Sequence, residues 1–174
     1  MYSIIKKHDG EITVESEPDK GTTFHIYLPA SERSAEMQAV TKALSHKGSG
    51  RILIMDDEEA IRETMGDMLR IMGYEVEYAV SGHDALKAIC EAFKAKQQFL
   101  AAIMDLTIPG GMGGRETIKQ LREIDKDMFV FVLSGYSEDP VMAHPTEYGF
   151  TDKIQKPFRK GELADLFARH LGST

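Results

Sequence analysis

Charged and hydroxyl residues follow four short apolar segments of this sequence, each at the point where the segment ends. They are Asp56, Asp57, Asp105, Ser134 and Lys156. Carboxylates that are crowded together repel one another, and some of them keep their protons unless a cation neutralises them. Mg²⁺ suits such a set, because it prefers oxygen ligands and binds through a few carboxylates, waters and phosphate oxygens. These residue types therefore predict a magnesium site, provided that the fold brings them together.

One of these carboxylates could also act as a nucleophile. Asp105 could attack phosphorus and form an acyl phosphate. The phosphoryl oxygens would then need positive charge and donors, which the cation, the Lys156 ammonium and the Ser134 hydroxyl would supply. Structural interpretations exist as well: Asp57 could cap a helix, Ser134 with Gly135 could form only a turn, and Lys156 could be a solvated strand end. We prefer the functional interpretation because all of these residues fall on neighbouring strand ends.

The elements that must position these residues alternate between strand and helix through five cycles. Three strands, near Leu53, Ile103 and Val130, are apolar throughout, which is typical of strands buried on both faces. The strands at Tyr74 and Phe150 carry polar positions, as edge strands do. The pattern predicts an α/β fold of the flavodoxin-like, doubly wound type: a five-stranded parallel sheet in the order 2-1-3-4-5, with helices on both faces. Strands one, three, four and five are then neighbours, so the reactive residues converge beyond their carboxyl ends.

Residues 1–30 show a different pattern. Two alternating segments, Glu11–Glu15 and Thr22–Leu28, flank the turn residues Pro18–Gly21, which predicts a β-hairpin after a short helix over Tyr2–Lys7. A helix and two strands bury too little surface to be stable alone. We therefore expect this fragment to belong to something larger or to pack on the second segment.

Residues 31–50 are predicted to be a linker. The stretch Ala30–Ser34 is small and polar, and Gly48–Gly50 resembles a flexible hinge. A short amphipathic helix through Met37, Val40 and Leu44 is the alternative.

Composition limits the classes of function. The chain has 174 residues, of which 42% are hydrophobic and 28% charged, so it can form one ordinary domain and an appendage. The formal net charge of -7, from 28 acidic and 21 basic residues, argues against nucleic-acid binding. No apolar stretch approaches the roughly 20 residues that span a bilayer, and no secretory leader opens the sequence. We expect no membrane contact and a cytoplasmic location; the single cysteine, Cys90, cannot form an internal disulfide.

Residues 51–172 resemble the response-regulator receiver domain of bacterial two-component systems. The resemblance rests on Asp56-Asp57 after an apolar strand, on Asp105 to Gly111, on Ser134-Gly135 and on Lys156-Pro157-Phe158. It implies that Asp105 is phosphorylated and binds Mg²⁺ together with Asp57 and the Thr107 carbonyl. Asp56 would act through water or as support. Ser134 would reorient toward the phosphoryl group, and Lys156 would pair with it.

The same resemblance implies the partners and the course of the reaction. The phosphoryl group would come from a histidine kinase or a histidine phosphotransfer domain, and hydrolysis or onward relay would follow. The chain would catalyse only its own phosphorylation and dephosphorylation, so we do not expect it to be an enzyme in its own right.

Residues 1–30 resemble the last part of the ATP-binding domain of sensor histidine kinases. The residues that carry this resemblance are Ile4–Gly10, Glu17, Gly21–Phe24 and Leu28-Pro29. The glycine-rich and asparagine boxes of that family are absent from this sequence, so we expect neither strong ATP binding nor kinase activity from it. Together the two resemblances imply the C-terminal end of a hybrid sensor histidine kinase.

Two positions depart from the receiver pattern. Lys153 stands where many receivers have a tyrosine or phenylalanine, and Pro145 interrupts the fourth helix, which Asp139-Pro140 can start. Both positions, with Gly135, belong to the face that usually signals to an output domain. We therefore expect unusual output coupling, a role as relay or phosphate sink, and little phosphorylation-dependent dimerisation; the oligomeric state stays open, with a monomer as one option.

Two other functions compete with this one. A phosphate-independent interaction module would keep the fold without the chemistry, but the complete set of five reactive residues favours the phosphoacceptor. A free-standing hydrolase of the aspartyl-phosphate type ranks last, because Thr107 stands where that chemistry needs a second acid.

Overall fold

The computed structural model describes residues 2–30 and 48–172, with the backbone alone at residues 2 and 3. These residues divide into two compact units, one in each range. The linker and the alternative helix through Met37, Val40 and Leu44 lie outside the described residues, apart from Gly48–Gly50 at the start of the second unit.

The first unit, residues 2–30, is a helix followed by a β-hairpin. Helix α1 (Tyr2–Lys7) precedes strands β1 (Glu11–Glu17) and β2 (Gly21–Tyr27), which pair antiparallel. The turn between them places Asp19 at φ 61° and Gly21 at φ 107°, a left-handed region that aspartate tolerates and glycine adopts freely. The hairpin predicted from the alternating pattern is confirmed.

The second unit, residues 48–172, contains five strands and five helices within the described range. In chain order they are β3 (Arg51–Met55), α2 (Glu59–Ile71), β4 (Glu75–Ala79), α3 (Gly82–Lys94), β5 (Ala101–Asp105), α4 (Gly114–Ile124), β6 (Phe129–Ser134), α5 (Pro140–Ala143), β7 (Asp152–Gln155) and α6 (Lys160–Leu171). The strands form one parallel sheet in the order β4-β3-β5-β6-β7. This is the predicted flavodoxin-like order 2-1-3-4-5.

The core lies on both faces of this sheet, because successive strand residues point to opposite sides. On one face Leu53 and Met55 pack in a cluster with residues of α3 and α4. On the other face Ile52 and Ile54 pack with residues of α2 and α6. Strand β5 is buried at every position, whereas the outer strands β4 and β7 keep exposed positions, as predicted from their polar residues.

The helices of this unit are short and bury one side. The two longest, α2 and α3, have 13 residues each. Neither in residues 2–30 nor in residues 48–172 does any helix combine the length and apolar character that crossing a bilayer requires.

The fourth helix of the second unit is short, as the two prolines predict. Asp139 caps α5 by accepting the Val141 N–H at 2.8 Å, and Pro140 occupies its first turn. Pro145, which has no N–H to continue the helix, opens a 3₁₀ turn over Pro145–Tyr148 instead. The chain between β6 and β7 is therefore two short turns rather than one regular helix.

Candidate functional site

The carboxyl ends of four neighbouring strands form one cleft of about 470 Å³. Asp105 and Ser134 are the last residues of β5 and β6, while Asp56 and Lys156 directly follow β3 and β7. The predicted residues that line the cleft are Asp57, Asp105, Thr107, Ser134, Gly135 and Lys156. The fold thus brings together side chains that are up to 100 positions apart in the sequence.

Three carboxylates lie close together at this cleft, of which Asp57 and Asp105 line it and Asp56 lies buried beside them. One oxygen from each of Asp56, Asp57 and Asp105 lies within 4.8 Å of the others. Their exposure differs: Asp56 is fully buried, Asp105 is 8% exposed, and Asp57 is open to solvent. A cluster of oxygen ligands that is buried at its base and open on one side fits a small hard cation such as Mg²⁺.

The Lys156 ammonium joins the two buried carboxylates. Its Nζ lies 2.7 Å from Oδ2 of Asp56 and 3.1 Å from Oδ2 of Asp105. A weaker contact, at 3.9 Å, reaches Oε1 of the exposed Glu58. The Lys156 backbone N–H donates to the Ser134 carbonyl at 2.8 Å, which fixes the start of this side chain beside β6. The lysine therefore holds a positive charge beside the carboxylates of Asp56 and Asp105.

The balance of burial and neighbouring charges raises the pKa of both Asp105 and Lys156. This disfavours the charged form of the aspartate and favours the charged form of the lysine. Burial is the largest influence on Asp105 and raises the pKa of its carboxyl; the ammonium of Lys156 opposes this rise, and the nearby Asp56 adds to it. Burial alone would lower the pKa of Lys156, but its hydrogen bond to Asp56 and the charge of Asp105 outweigh burial, so that pKa is raised. The lysine thus stays charged, while the Asp105 carboxylate is desolvated and gains from any further positive charge.

Asp56 anchors the turn between β3 and α2. Its N–H donates to the Ala79 carbonyl at 3.2 Å, and its Oδ1 accepts the Glu58 N–H at 2.9 Å. The cap position of α2 is Glu58, which makes no side-chain cap bond. Asp57 is therefore not the helix cap that its position in the sequence could suggest, and its carboxylate faces the cleft instead.

Ser134 forms the wall of the cleft at the end of β6. It is 2% exposed, and its Oγ accepts the Tyr136 N–H at 3.1 Å. This bond is the turn contact expected of a serine here. The hydroxyl proton remains able to donate, so the structural and chemical roles coexist in one residue.

Two further residues line the cleft that the sequence analysis did not name, Glu58 and Tyr136; Pro109, part of the Asp105 to Gly111 motif, lines it as well. Each lies within four positions of a residue that was predicted, so proximity along the chain was the available signal. Tyr136 is 76% exposed and stands at the mouth of the cleft.

The face opposite α6 carries two polar tethers of the short helix α5. At one end, Nη2 of Arg115 lies 2.8 and 3.0 Å from the two carboxylate oxygens of Asp139, the capping residue. At the other end, Nζ of Lys153 donates to the Met142 carbonyl at 2.6 Å. Lys153, one of the two departures from the receiver pattern, is thus bonded to the backbone of α5.

Comparison with known proteins gives one consistent family. The model described as "Response regulator receiver domain" matches residues 52–168. The sensor kinase CckA of Brucella abortus is 32% identical over 176 residues, which include 94% of this chain but only 18% of that kinase. Sporulation initiation phosphotransferase F of Bacillus subtilis is 29% identical over 121 residues, 70% of this chain and 93% of that protein.

A solved structure agrees with these relatives in fold. The response regulator TrrA of Thermotoga maritima, in complex with Mg(2+)-BeF, superposes with a TM-score of 0.58 at 28% identity, covering 69% of this chain and 97% of that one. The chain therefore spans nearly the whole of the phosphotransferase and of the TrrA structure but less than a fifth of the sensor kinase.

Proposed function

The chain belongs to the response regulator receiver domain family and is a phosphoacceptor domain of a two-component system; on this premise we propose that Asp105 receives the phosphoryl group. The observation that carries the proposal is its place at the base of the cleft. Its carboxylate lies 3.1 Å from the Lys156 ammonium and within 4.8 Å of carboxylate oxygens of Asp56 and Asp57. Among the cleft-lining residues in the described part of the chain, Asp105 is the carboxylate of this cluster that also contacts the Lys156 ammonium.

The reaction follows from this arrangement. An oxygen of Asp105 attacks phosphorus of a phosphohistidine, the bond from phosphorus to the imidazole nitrogen breaks, and that nitrogen keeps the electron pair. The Lys156 ammonium moves its contact from the carboxylate to the phosphoryl oxygens, and the Ser134 hydroxyl donates to one of them. Hydrolysis then removes the phosphoryl group: water attacks phosphorus, the bond from phosphorus to the Asp105 oxygen breaks, and phosphate leaves.

We propose that the acidic cluster holds Mg²⁺. Asp57 and Asp105 would bind it directly together with the Thr107 carbonyl. Asp56 is already engaged by Lys156 and by the Glu58 N–H, so it would act as support or through water. The chemistry that a bound Mg²⁺ supplies is compensation of negative charge on the transferring phosphoryl group.

We further propose that residues 1–30 are the end of a kinase ATP-binding domain, that residues 31–50 link it to the receiver, and that the parent protein is a hybrid histidine kinase. The extent of similarity supports this. The alignment with the sensor kinase takes in 94% of this chain, whereas the one with the phosphotransferase takes in 70%. The additional length corresponds to sequence outside the receiver.

For partners, we propose a histidine kinase or a histidine phosphotransfer domain as phosphodonor, with hydrolysis or onward relay as the next step. The two tethers of α5 support a relay role, because Arg115 and Lys153 hold the segment that links Ser134 to the signalling face. A receiver held in this way is expected to stay in one oligomeric state. Light scattering before and after phosphorylation tests this, and a clear shift from monomer to dimer would count against it.

The main proposal is tested by incubating the protein with Mg²⁺ and a small phosphodonor and recording its intact mass. We expect one added phosphoryl group, none without Mg²⁺, and none in Asp105→Asn. The matched control is Asp67→Asn, which changes an exposed carboxylate of α2 that pairs with Arg70; it should be phosphorylated like the unchanged protein. A folded protein that gains no mass would instead favour the phosphate-independent interaction module.

A further inference from the structure

The carbonyl of Asp56 needs a partner that the sheet does not supply. The pairing of β3 with its neighbours ends at Met55, and Asp56 is fully buried. A buried backbone carbonyl without a hydrogen bond is costly. Here Nη1 of Arg62 donates to this oxygen at 2.6 Å. The guanidinium therefore supplies the hydrogen bond that the carbonyl after strand β3 lacks within the sheet.

The position of Arg62 on α2 explains how it reaches back. It lies in the first turn of the helix, where its own N–H donates to the Glu58 carbonyl at 3.1 Å. Side chains of a helix lean toward its N-terminus. A long side chain at this point is thus directed to the turn that the helix follows, and arginine has the length and the donors to reach Asp56.

Fixing this carbonyl also fixes Asp57. The peptide unit is planar, so the Asp56 oxygen and the Asp57 nitrogen and Cα move as one body. The Asp56 side chain is held by Lys156 and the Glu58 N–H, but the exposed Asp57 carboxylate has to be aimed by its backbone. We propose that Arg62 is a positioning residue for the divalent-cation site, acting through the Asp56–Asp57 peptide. This inference rests on the proposed function, in which the acidic cluster binds Mg²⁺.

Because Arg62 is positively charged, a positioning role and a purely electrostatic role predict opposite changes in cation affinity when it is replaced. If the guanidinium acted only as a charge near three carboxylates, its removal would strengthen binding of a cation. If it positions Asp57, its removal weakens binding. Partners that orient metal ligands from outside typically change metal affinity by about 10- to 100-fold when they are removed. The two effects are opposite in direction, and the positioning effect is expected to dominate.

The experiment measures Mg²⁺ binding to the full chain by calorimetry in three variants. Arg62→Met should weaken binding by about tenfold. Arg62→Lys keeps the charge but loses reach, so it should also weaken binding, by a smaller factor. Arg70→Met is the control, because Arg70 lies on the same helix and pairs with Asp67 at the surface; it should bind as the unchanged protein does.

Unchanged or tighter binding in Arg62→Met would overturn the proposal. If Arg62→Met fails to fold by circular dichroism, Arg62→Lys decides alone, since a pure charge effect leaves its affinity unaltered. Failure of the unchanged protein to bind Mg²⁺ would instead refute the proposed function, which keeps the two outcomes apart.

A second measurement separates positioning from a direct role in phosphoryl transfer. The rate of phosphorylation by the small phosphodonor is recorded over a range of Mg²⁺ concentrations. For Arg62→Met the half-saturating Mg²⁺ concentration should rise by the same factor as the dissociation constant, while the rate at saturating Mg²⁺ stays close to that of the unchanged protein. A lower rate at saturation, with the same half-saturating concentration, would contradict a positioning role.

Discussion

The two units of this protein use similar local patterns and reach opposite degrees of burial. In the hairpin of residues 2–30, every position of β1 and β2 is exposed except Ile12 and His25, which are half-buried. In the receiver unit, β5 is buried at all five positions. The difference is the number of layers: helices cover both faces of the receiver sheet, whereas the described residues 2–30 supply one two-stranded sheet and a six-residue helix.

The hairpin still sorts its residues by face. The pairs Ile12–Ile26 and Val14–Phe24 lie across from each other on one side, and Thr13–His25 lies on the other. Val14 and Phe24 are nevertheless 58% exposed each. Alternation thus determines which side of a strand is apolar, but only a second layer removes that side from water. The stability of the two units should therefore respond very differently to the same kind of substitution.

The largest effect is expected in the receiver core. Phe131 is fully buried and stacks on Phe167 with ring centroids 5.3 Å apart. Phe131→Ala should lower the free energy of unfolding by about 3–5 kcal/mol, because it removes buried apolar surface and leaves a cavity. Urea unfolding of the full chain measures this. A loss below about 1 kcal/mol would show that the core can collapse around the gap.

Mg²⁺ should increase the difference in stability between the two units, because we expect it to bind the receiver and not the hairpin. A ligand at 100 times its dissociation constant adds about 2.7 kcal/mol to the folded state that binds it. We expect the receiver transition to shift by this amount, and Asp57→Asn to reduce the shift strongly. Thermal unfolding with and without Mg²⁺ tests this. An equal shift in Asp57→Asn would show that Mg²⁺ does not bind at the carboxylate cluster.

A smaller stabilisation is expected from a substitution at Asp105, the proposed phosphoacceptor. Burial is the main cause of the raised pKa of Asp105, so the ionised carboxylate lowers the stability of the folded receiver. Asp105→Asn should stabilise the Mg²⁺-free receiver by roughly 1 kcal/mol, as substitutions at functional sites often do. Lys156 keeps its 2.7 Å contact with Asp56 in this variant. Destabilisation in urea would mean that the Asp105–Lys156 contact outweighs the cost of burial.

The smallest effect is expected in the hairpin. Phe24→Ala changes an aromatic residue that is already 58% exposed, so the free energy of receiver unfolding should change by less than about 0.5 kcal/mol. This is the direct counterpart of Phe131→Ala. A loss of several kcal/mol would show that the apolar side of the hairpin is covered in solution and would break the comparison.

Much of the fold could be predicted because its signals are local. The uninterrupted apolar runs at Ile52–Met55 and Ala101–Met104 mark strands buried on both faces, and the polar positions of β4 and β7 mark the edges. The strand order then follows from burial. The short α5 could also be predicted, since Pro140 and Pro145 act through the backbone at their own positions.

Contacts between distant residues could not be predicted in the same way. The different environments of the three aspartates depend on Lys156, which contacts Asp56 and Asp105 and leaves Asp57 open to the cleft. The bond from Arg62 to the Asp56 carbonyl, and that from Lys153 to Met142, depend on side-chain directions that residue types leave open. Nothing in the spacing of the sequence distinguishes Arg62 from Arg70 on the same helix.

The sequence by itself determined the alternation of elements, the order of the five strands and the types of polar residue at their ends, which we propose as the reactive ones. These features depend on hydrophobic periodicity and on turn residues, which act over a few positions. Only the tertiary structure decided which carboxylates are buried, which one is open to the cleft, and that the Lys156 ammonium contacts the two buried ones. Those properties depend on desolvation and on distances of a few ångströms between residues far apart in the chain, and they exist only once the strands have packed.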